Sequence, residues 1–321
     1  MFNSTVLPCS YSCYRFMTEQ LSLLIITYNR PADLLELLQS LAGQERLDLL
    51  NEVLVLNNAS TVSYAEVEEY IKAHPELKVN YRVSPENLGV SRGRNQLMQT
   101  ASSPLLLVLD DDILFTGKND LEKIAGTFQK PAFQQAHCGA VTFRVIYHEN
   151  KQVQRTALPH KQFDAYKDRD LFFTSYYTGC AHLLRREVLD KTGYYPTDFF
   201  YGMEEYDLAY RIIDAGYAIG YDNAVTFEHK ESPKGRQPHY QKLASQWLNK
   251  SKVAWRYLPA KYYLTTAIAW SGEYLKHAIA HPGTFFRTWG RVLAVPFREK
   301  KKSISAKAME YLKIVKARLW Y

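Results

Sequence analysis

The chain is expected to fold as an α/β protein built on a mostly parallel sheet flanked by helices, with a helical extension at its C-terminus. Two observations predict this. Apolar strand-like runs alternate with helix-periodic segments through the first hundred residues, and one such run, Pro104 to Leu109, leads directly into Asp110, Asp111 and Asp112. Alternation at this spacing implies right-handed βαβ crossovers and therefore parallel strands.

Taken in order, Leu21 to Thr27 reads as a buried strand ending at Tyr28-Asn29-Arg30. Pro31 suits a first helical turn, Leu34, Leu35, Leu37, Leu38 and Leu41 mark an apolar face, and Gly43 suits the stop. Val53 to Leu56 is a second strand, ending in the turn-forming Asn57-Asn58-Ala59-Ser60. Ala65 to Ala73 reads as a helix, Val79 to Val83 as a strand, Ser91 to Thr100 as a helix, and Leu105 to Leu109 as the strand that delivers the acids. Beyond it, Val141 to Tyr147 is a strand and much of 148–174 a loop. A short helix follows around Arg186 to Lys191, another opens at Glu204 and stops at Gly216, and Val225 to Phe227 is the last strand before His229.

Carboxylates at the exit of a buried strand stand where open α/β sheets bind ligands. Three adjacent acids repel one another unless a cation neutralises them, and oxygen ligands favour Mg²⁺ or Mn²⁺ shared with phosphate. A metal-bridged diphosphate is the first expectation. Glu204, Glu205 and Asp207 open a helix whose dipole favours acids there, and Arg211 stands one turn after Asp207, so these two read as scaffolding.

The 321 residues suffice for one large domain and an appendage, and 46% hydrophobic content is that of a globular protein. Of the net charge of +7, the stretch from Phe285 to Tyr321 carries more than the whole, with ten basic residues against two acidic. The four cysteines, Cys9, Cys13, Cys138 and Cys180, form neither a zinc pattern nor a disulfide framework, which fits a reducing cytosol. No apolar run reaches the roughly 20 residues of a membrane span, and the first residues lack a secretory pattern. Residues 1–17 are expected to be a leader outside the fold, with Met17 an alternative start.

Four segments together resemble the GT-A glycosyltransferases, specifically inverting family 2: Leu24-Ile25-Ile26-Thr27-Tyr28-Asn29-Arg30-Pro31, Asn87-Leu88-Gly89-Val90-Ser91-Arg92-Gly93-Arg94-Asn95, Asp110-Asp111-Asp112, and Glu204-Glu205-Tyr206-Asp207-Leu208 with Arg211. The resemblance implies a GT-A domain over 18–235, followed by a basic helical extension over 236–321. It implies a donor site formed by Thr27, Tyr28, Asn29, Asn57, Arg94, Asp110 and Asp111. It also implies Mn²⁺ or Mg²⁺ held by Asp112, Asp110 and His229, and Glu205 as catalytic base. Tyr177, Gly179 and Glu204 fall on the acceptor side. The implied reaction moves a sugar from a nucleotide-diphosphate donor to a hydroxyl of a glycan or lipid-linked acceptor with inversion, in cell-surface polysaccharide or lipopolysaccharide synthesis. The chemistry asks for these groups: a cation must absorb the leaving-group charge, and a carboxylate must take the acceptor's proton.

The chain departs from the pattern in two places. Many members carry an aspartate after the second strand where Asn57 and Asn58 stand here, and an amide both donates and accepts, which leaves the donor base open. Glu205 replaces the commoner aspartate, a difference of one methylene.

After residue 235, Ile304, Ala308, Tyr311, Leu312, Val315 and Leu319 form a helical apolar stripe beside Lys307, Lys313, Lys316 and Arg318. A basic amphipathic helix suits an anionic membrane surface, contacted through 285–321 from the cytoplasmic side; the alternative is that this face packs on the catalytic domain. Two other functions are open: a non-catalytic membrane-surface or polyanion-binding protein using the basic helix, and a sugar nucleotidyltransferase, against which the Thr27–Pro31 turn lacks Gly and Lys. Nucleic acid is disfavoured as a partner, because the basic residues belong to no nucleic-acid module.

Overall fold

A computed structural model describes residues 19–319. The expected leader, Met17, Cys9 and Cys13 lie outside the described residues. Among the described residues nine strands form one sheet: β1 (Leu21–Thr27), β2 (Leu50–Asn57), β3 (Val79–Val83), β4 (Leu105–Asp110), β5 (Ile113–Phe115), β6 (Cys138–Tyr147), β7 (Leu171–Thr174), β8 (Ala181–Arg185) and β9 (Ala218–His229). The helices of the first half are α1 (Pro31–Ala42), α2 (Ala65–Ala73), α3 (Gly89–Thr100), α4 (Asp120–Ala125) and α5 (Pro131–Gln135). Then come α6 (Phe163–Tyr166), α7 (Arg186–Thr192), α8 (Glu204–Asp214), α9 (His239–Tyr257), α10 (Ala260–Ala278), α11 (Pro282–Leu293), α12 (Val295–Arg298) and α13 (Ala306–Ile314).

The strand order is β3-β2-β1-β4-β8-β6-β9-β5, with β7 also on β9. The βα alternation of the first hundred residues folds as expected: β3, β2, β1 and β4 are all parallel. The interior side chains of β1, β2 and β4 are almost wholly buried on both faces, which is why those strands read as continuous apolar runs, whereas β3 at the sheet edge is half-exposed. The second half is mixed. β8 runs antiparallel between β4 and β6, while β6 and β9 are parallel.

Three strands escaped the sequence reading. β8 is short and sits just before α7, β5 has only three residues, and β7 lies in the segment read as loop, which also holds α6. β9 begins seven residues before the expected Val225, because Gly220, Asp222 and Asn223 interrupt its apolar pattern.

Parallel register places Thr27 beside Asn57 and Ile26 beside Asp110, so the strand ends carrying the candidate residues share one edge. Gly89 has φ +70, and a Cβ there would collide with Phe200, whose carbonyl accepts from Val90 N–H at 2.8 Å. The start of α3 thereby closes on the loop that precedes α8.

The C-terminal helices do not form a detached appendage. α9, α10 and α11 pack around Trp247 and Tyr274, whereas Ala308 and Leu312 of α13, with Leu319 beyond it, are buried in the cluster that holds Leu208, Ile212 and Ile219. This corrects the expectation that the 304–319 stripe faces a membrane: its apolar face is covered by the catalytic domain.

Candidate active site

The site is assembled where β4 ends. Asp110 is the last residue of β4, and Asp111 and Asp112 make the turn into β5. Antiparallel pairing then sets Ile113 opposite His229 at the end of β9, which brings His229 to Asp112 across more than a hundred residues of chain. One ligand atom each from Asp110, Asp112 and His229 lie within 4.8 Å of one another.

Two details suit a divalent ion at these three. Asp112 Oδ1 is buried without a hydrogen bond, although His229 Nε2 stands 3.2 Å away: the two atoms face each other out of line. His229 Nδ1 meets Gln154 Oε1 at 2.8 Å, and Gln154 Nε2 donates to Glu231, which orients the amide. With Nδ1 donating, Nε2 of the neutral ring keeps its lone pair for a metal, as a histidine ligand requires. Two carboxylates and an imidazole suit Mn²⁺ or Mg²⁺ better than a soft metal. Without an ion, burial works against the charged imidazole, but Asp112 and Cys180 outweigh it and push His229 up to about 11. The same pairing helps to hold Asp112 below the usual carboxylate range against burial.

Asp111 has a different task. Arg30 Nη1 donates to its Oδ1 at 2.9 Å and lies 3.2 Å from Asp112 Oδ2, while Arg30 Nε and Nη2 donate to the carbonyls of Lys234 and Ser232. Burial raises Asp111 to about 7 in spite of Arg30, with Asp112 adding to the rise. Arg30 thus clamps the acid turn to the 231–236 loop, whose Ser232 N–H also donates to Asp112 Oδ2 at 2.9 Å.

The second half of the site stands at the start of α8. Gly202 and Met203 both have positive φ, and this left-handed step sets Glu204 and Glu205 at the helix start. Arg94, buried on α3, reaches both acids and the β4 end: Nη1 is 3.3 Å from Glu205 Oε1 and 3.6 Å from Glu204 Oε1. Its Nη2 donates to Asp110 Oδ1 and to the Gly179 carbonyl, both at 2.7 Å. Glu205 comes so close to Gly179 that a Cβ there would displace its carboxylate. Burial and the neighbouring Glu205 push Glu204 up to about 8, against the pull of Arg94. Burial raises Glu205 as well, but Arg94 opposes it at shorter range. Two carboxylates in one buried site oppose each other's ionisation, and Arg94 eases that of Glu205 at the shorter range. Glu205, with a side chain 14% exposed against 3% for Glu204, is the more reachable member.

The remaining expected residues divide. Asn29, with φ +57, accepts from Thr61 N–H at its Oδ1 and donates its own N–H to Ser60 Oγ, shaping the loop after β1. Thr27 Oγ1 bonds Tyr64 OH at 2.7 Å, and Tyr28 is half-buried at the same strand end. Asn57 spends its amide inside the protein, donating to Tyr81 OH and accepting from Ser60 N–H, and Asn58 does the same with Leu88 N–H and the Gly89 carbonyl. Tyr177 is a correction: it is fully buried and its hydroxyl donates to Tyr195 OH, so it cannot meet an acceptor. Asp207 and Arg211 are scaffolding as expected. Asp207 accepts from Arg211, Arg256 and Tyr257, bolting α8 to α9.

Sequence reasoning missed Arg30, Gln154 and Ser232. Arg30 stood inside a quoted motif, adjacent to the donor loop. Gln154 and Ser232 lie in loops without periodicity and carry no local signal.

A mixed sheet with this strand order, an acid-bearing turn after β4 and a glutamate pair on the facing helix define a GT-A glycosyltransferase fold. The pattern of Glycosyl transferase family 2 matches residues 22–193, and the chain belongs to that family. An uncharacterized glycosyltransferase of Bacillus subtilis, YwdF, is 30% identical over 183 residues, 56% of this chain and 63% of that protein. Among solved structures, the mannosyltransferase PcManGT of Pyrobaculum calidifontis, in complex with GDP-Man and Mn²⁺, superposes with TM-score 0.57 at 19% identity, covering 93% of this chain and 80% of that one. S. aureus TarS 1-349 with UDP-GlcNAc gives 0.58 at 16% identity, covering 86% and 81%. At these identities the likeness concerns the fold.

Proposed function

We propose that this glycosyltransferase moves a sugar from a nucleotide-diphosphate donor to an acceptor hydroxyl in one displacement with inversion, depending on a divalent cation. The observation that carries the reading is Arg94, whose one guanidinium joins Asp110 of the acid turn to Glu205 of the glutamate pair. Asp110, Asp112 and His229 would hold Mn²⁺ or Mg²⁺, which when bound absorbs negative charge on the departing diphosphate. The donor loop is Thr27 to Asn29. Since Asn57 is committed to Tyr81 and Ser60, its part in donor binding is to hold that loop's neighbour in shape. Arg30 and Ser232 keep Asp112 aimed at the other two ligands.

Glu205 Oε accepts the proton of the incoming hydroxyl, and the diphosphate leaves from the opposite face of the sugar. Glu204 stays protonated beside it and supplies a neutral neighbour, so that Arg94 balances Asp110 and Glu205 alone. Gly179 leaves the space in which Glu205 stands. Transfer assays over a panel of nucleotide sugars with Mn²⁺ test this. Glu205→Gln should lower kcat by about 10²–10⁴ with donor binding retained, and product NMR should show the inverted anomer. Intact transfer by Glu205→Gln or Asp112→Asn would remove the assignment.

The acceptor is a glycan or lipid-linked saccharide of cell-surface polymer synthesis, met at the cytoplasmic face of the membrane. Among the described residues no helix is long and apolar enough to cross a membrane. What supports peripheral contact is a different surface from the buried stripe: Leu264, Ile268 and Leu275 are exposed along one face of α10, with exposed Ile279 just past its end. Phe286, Leu293 and Phe297 (91% exposed) follow on α11 and α12, interleaved with exposed Arg287, Arg291 and Arg298. Apolar side chains beside cations suit anionic lipid headgroups. Flotation with phosphatidylglycerol vesicles tests the surface through Phe286→Ser/Leu293→Ser/Phe297→Ser, since truncation would strip buried Val292 and Leu312 from the core. Undiminished flotation of the triple variant would refute it.

A further inference from the structure

A cavity of about 330 Å³ lies away from the acid turn, between the loop after β6, the end of β7 and the segment that follows α13. Tyr311 OH donates to the Thr174 carbonyl at 3.0 Å, and Thr174 Oγ1 donates to the Pro159 carbonyl, so the three walls are tied together. Arg155, Lys161, Lys316 and Arg318 line the cavity, and none of the described residues lining it is acidic. Lys316 reaches it from a left-handed turn, φ +54, that ends α13. Arg155 lies 4.0 Å from Asp164, an exposed acid that Lys167 also approaches at 3.6 Å.

One lining residue is built for a ligand. His160 is 8% exposed and stacks on Tyr166 with ring centres 3.4 Å apart. Its Nδ1 accepts from Gln162 N–H at 3.1 Å, which places the proton of the neutral ring on Nε2. That Nε2 is buried with no hydrogen-bond partner. Buried donors in native proteins almost always have an acceptor, so an orphaned one points to an absent partner.

We propose that this cavity is an anion-binding site that takes a phosphate or carboxylate group, with His160 Nε2–H donating to an anionic oxygen and Arg155, Lys161 and Lys316 supplying the opposing charge. Burial pushes His160 down to about 4, with Lys161, Lys316 and Arg169 adding to the fall, so the imidazole enters as a neutral donor. Tyr206, the residue after Glu205, forms part of the wall and stacks on Tyr176 with ring centres 4.3 Å apart. A negatively charged substituent held here would therefore be anchored one residue from the proposed base. The site stands independently of the transfer reaction, because anion binding needs neither donor nor metal.

The test is NMR of the full-length chain carrying ring-¹⁵N-labelled histidine, titrated with inorganic phosphate in one arm and glucose 1-phosphate in the other. The His160 signal is identified by its loss in His160→Gln. A saturable shift of the His160 Nε2 signal is expected, weakened at least tenfold in Arg155→Glu/Lys316→Glu and unchanged in Asp112→Asn, which separates this cavity from the donor site. Tighter binding of glucose 1-phosphate identifies a saccharide-borne phosphate as the source, and equal binding identifies the free anion. No saturable shift, or equal titration of the charge-reversed variant, overturns the proposal.

Discussion

Replacing Gly179 with alanine separates catalysis from folding. The backbone of Gly179 has an ordinary φ, so alanine introduces no strain, but its Cβ would fall inside the contact radius of Glu205 Oε1, and 3.2 Å from Glu205 Cδ and 3.3 Å from Arg94 Nη1. Nonbonded heavy atoms settle at about 3.5 Å, so the Glu205 carboxylate must retreat by more than about 1 Å. It can do so cheaply, since it is the end of a flexible side chain and partly exposed. Misplacement of a reacting group by about 1 Å costs on the order of 10²-fold in rate. The expected result is a kcat lowered about 100-fold with Tm within a degree or two of the parent and donor affinity unchanged. Steady-state transfer and a thermal melt on the same preparation measure both. An alanine variant that folds and transfers at the parental rate would show that Glu205 does not need this position.

The protonation of Glu204 makes a second prediction. A carboxyl raised to about 8 in the fold and near 4.3 when unfolded binds an extra proton in the native state between those values, so its contribution to stability is lost as pH rises toward 8. Glu204→Gln should match the parent Tm near pH 5 and exceed it near pH 9; a parallel shift at both would contradict the assignment. The same variant should keep the acid limb of the rate profile, which belongs to Glu205, and lose any transition near 8. For the metal, Mn²⁺ should raise Tm in the presence of a nucleoside diphosphate, and His229→Ala should abolish the increment, which mass action ties to binding; an undiminished increment would exclude His229 as a ligand. Arg30→Met leaves Asp111 and Asp112 without their shared cation and should cost about 3 kcal/mol or more, read by urea denaturation. A loss under 1 kcal/mol would mean that the clamp carries little.

What the sequence determined by itself is local. Continuous apolar runs fixed β1, β2 and β4 because strands covered on both faces need no polar alternation. Pro31 and the leucine spacing fixed α1, and the order of polar strand ends foretold one edge bearing Thr27, Asn57 and Asp110. The glutamate pair at the start of α8 was visible for the same reason, as consecutive acids in a helical first turn.

Tertiary structure decided the rest. Whether Asp112 meets His229 depends on the β5–β9 register, and β5 is too short to leave a periodic trace. That Arg94 from another helix stands nearer Glu205 than Glu204 is set by the packing of α3 against α8. The apolar face of α13 was legible, but an amphipathic pattern states only that one face avoids water. Covering that face was left to the α8 side of the catalytic domain, and the exposed apolar stripe passed to α10, α11 and α12. The cavity at His160 comes from three segments far apart in sequence, and an orphaned ring nitrogen exists only once the chain has closed around it.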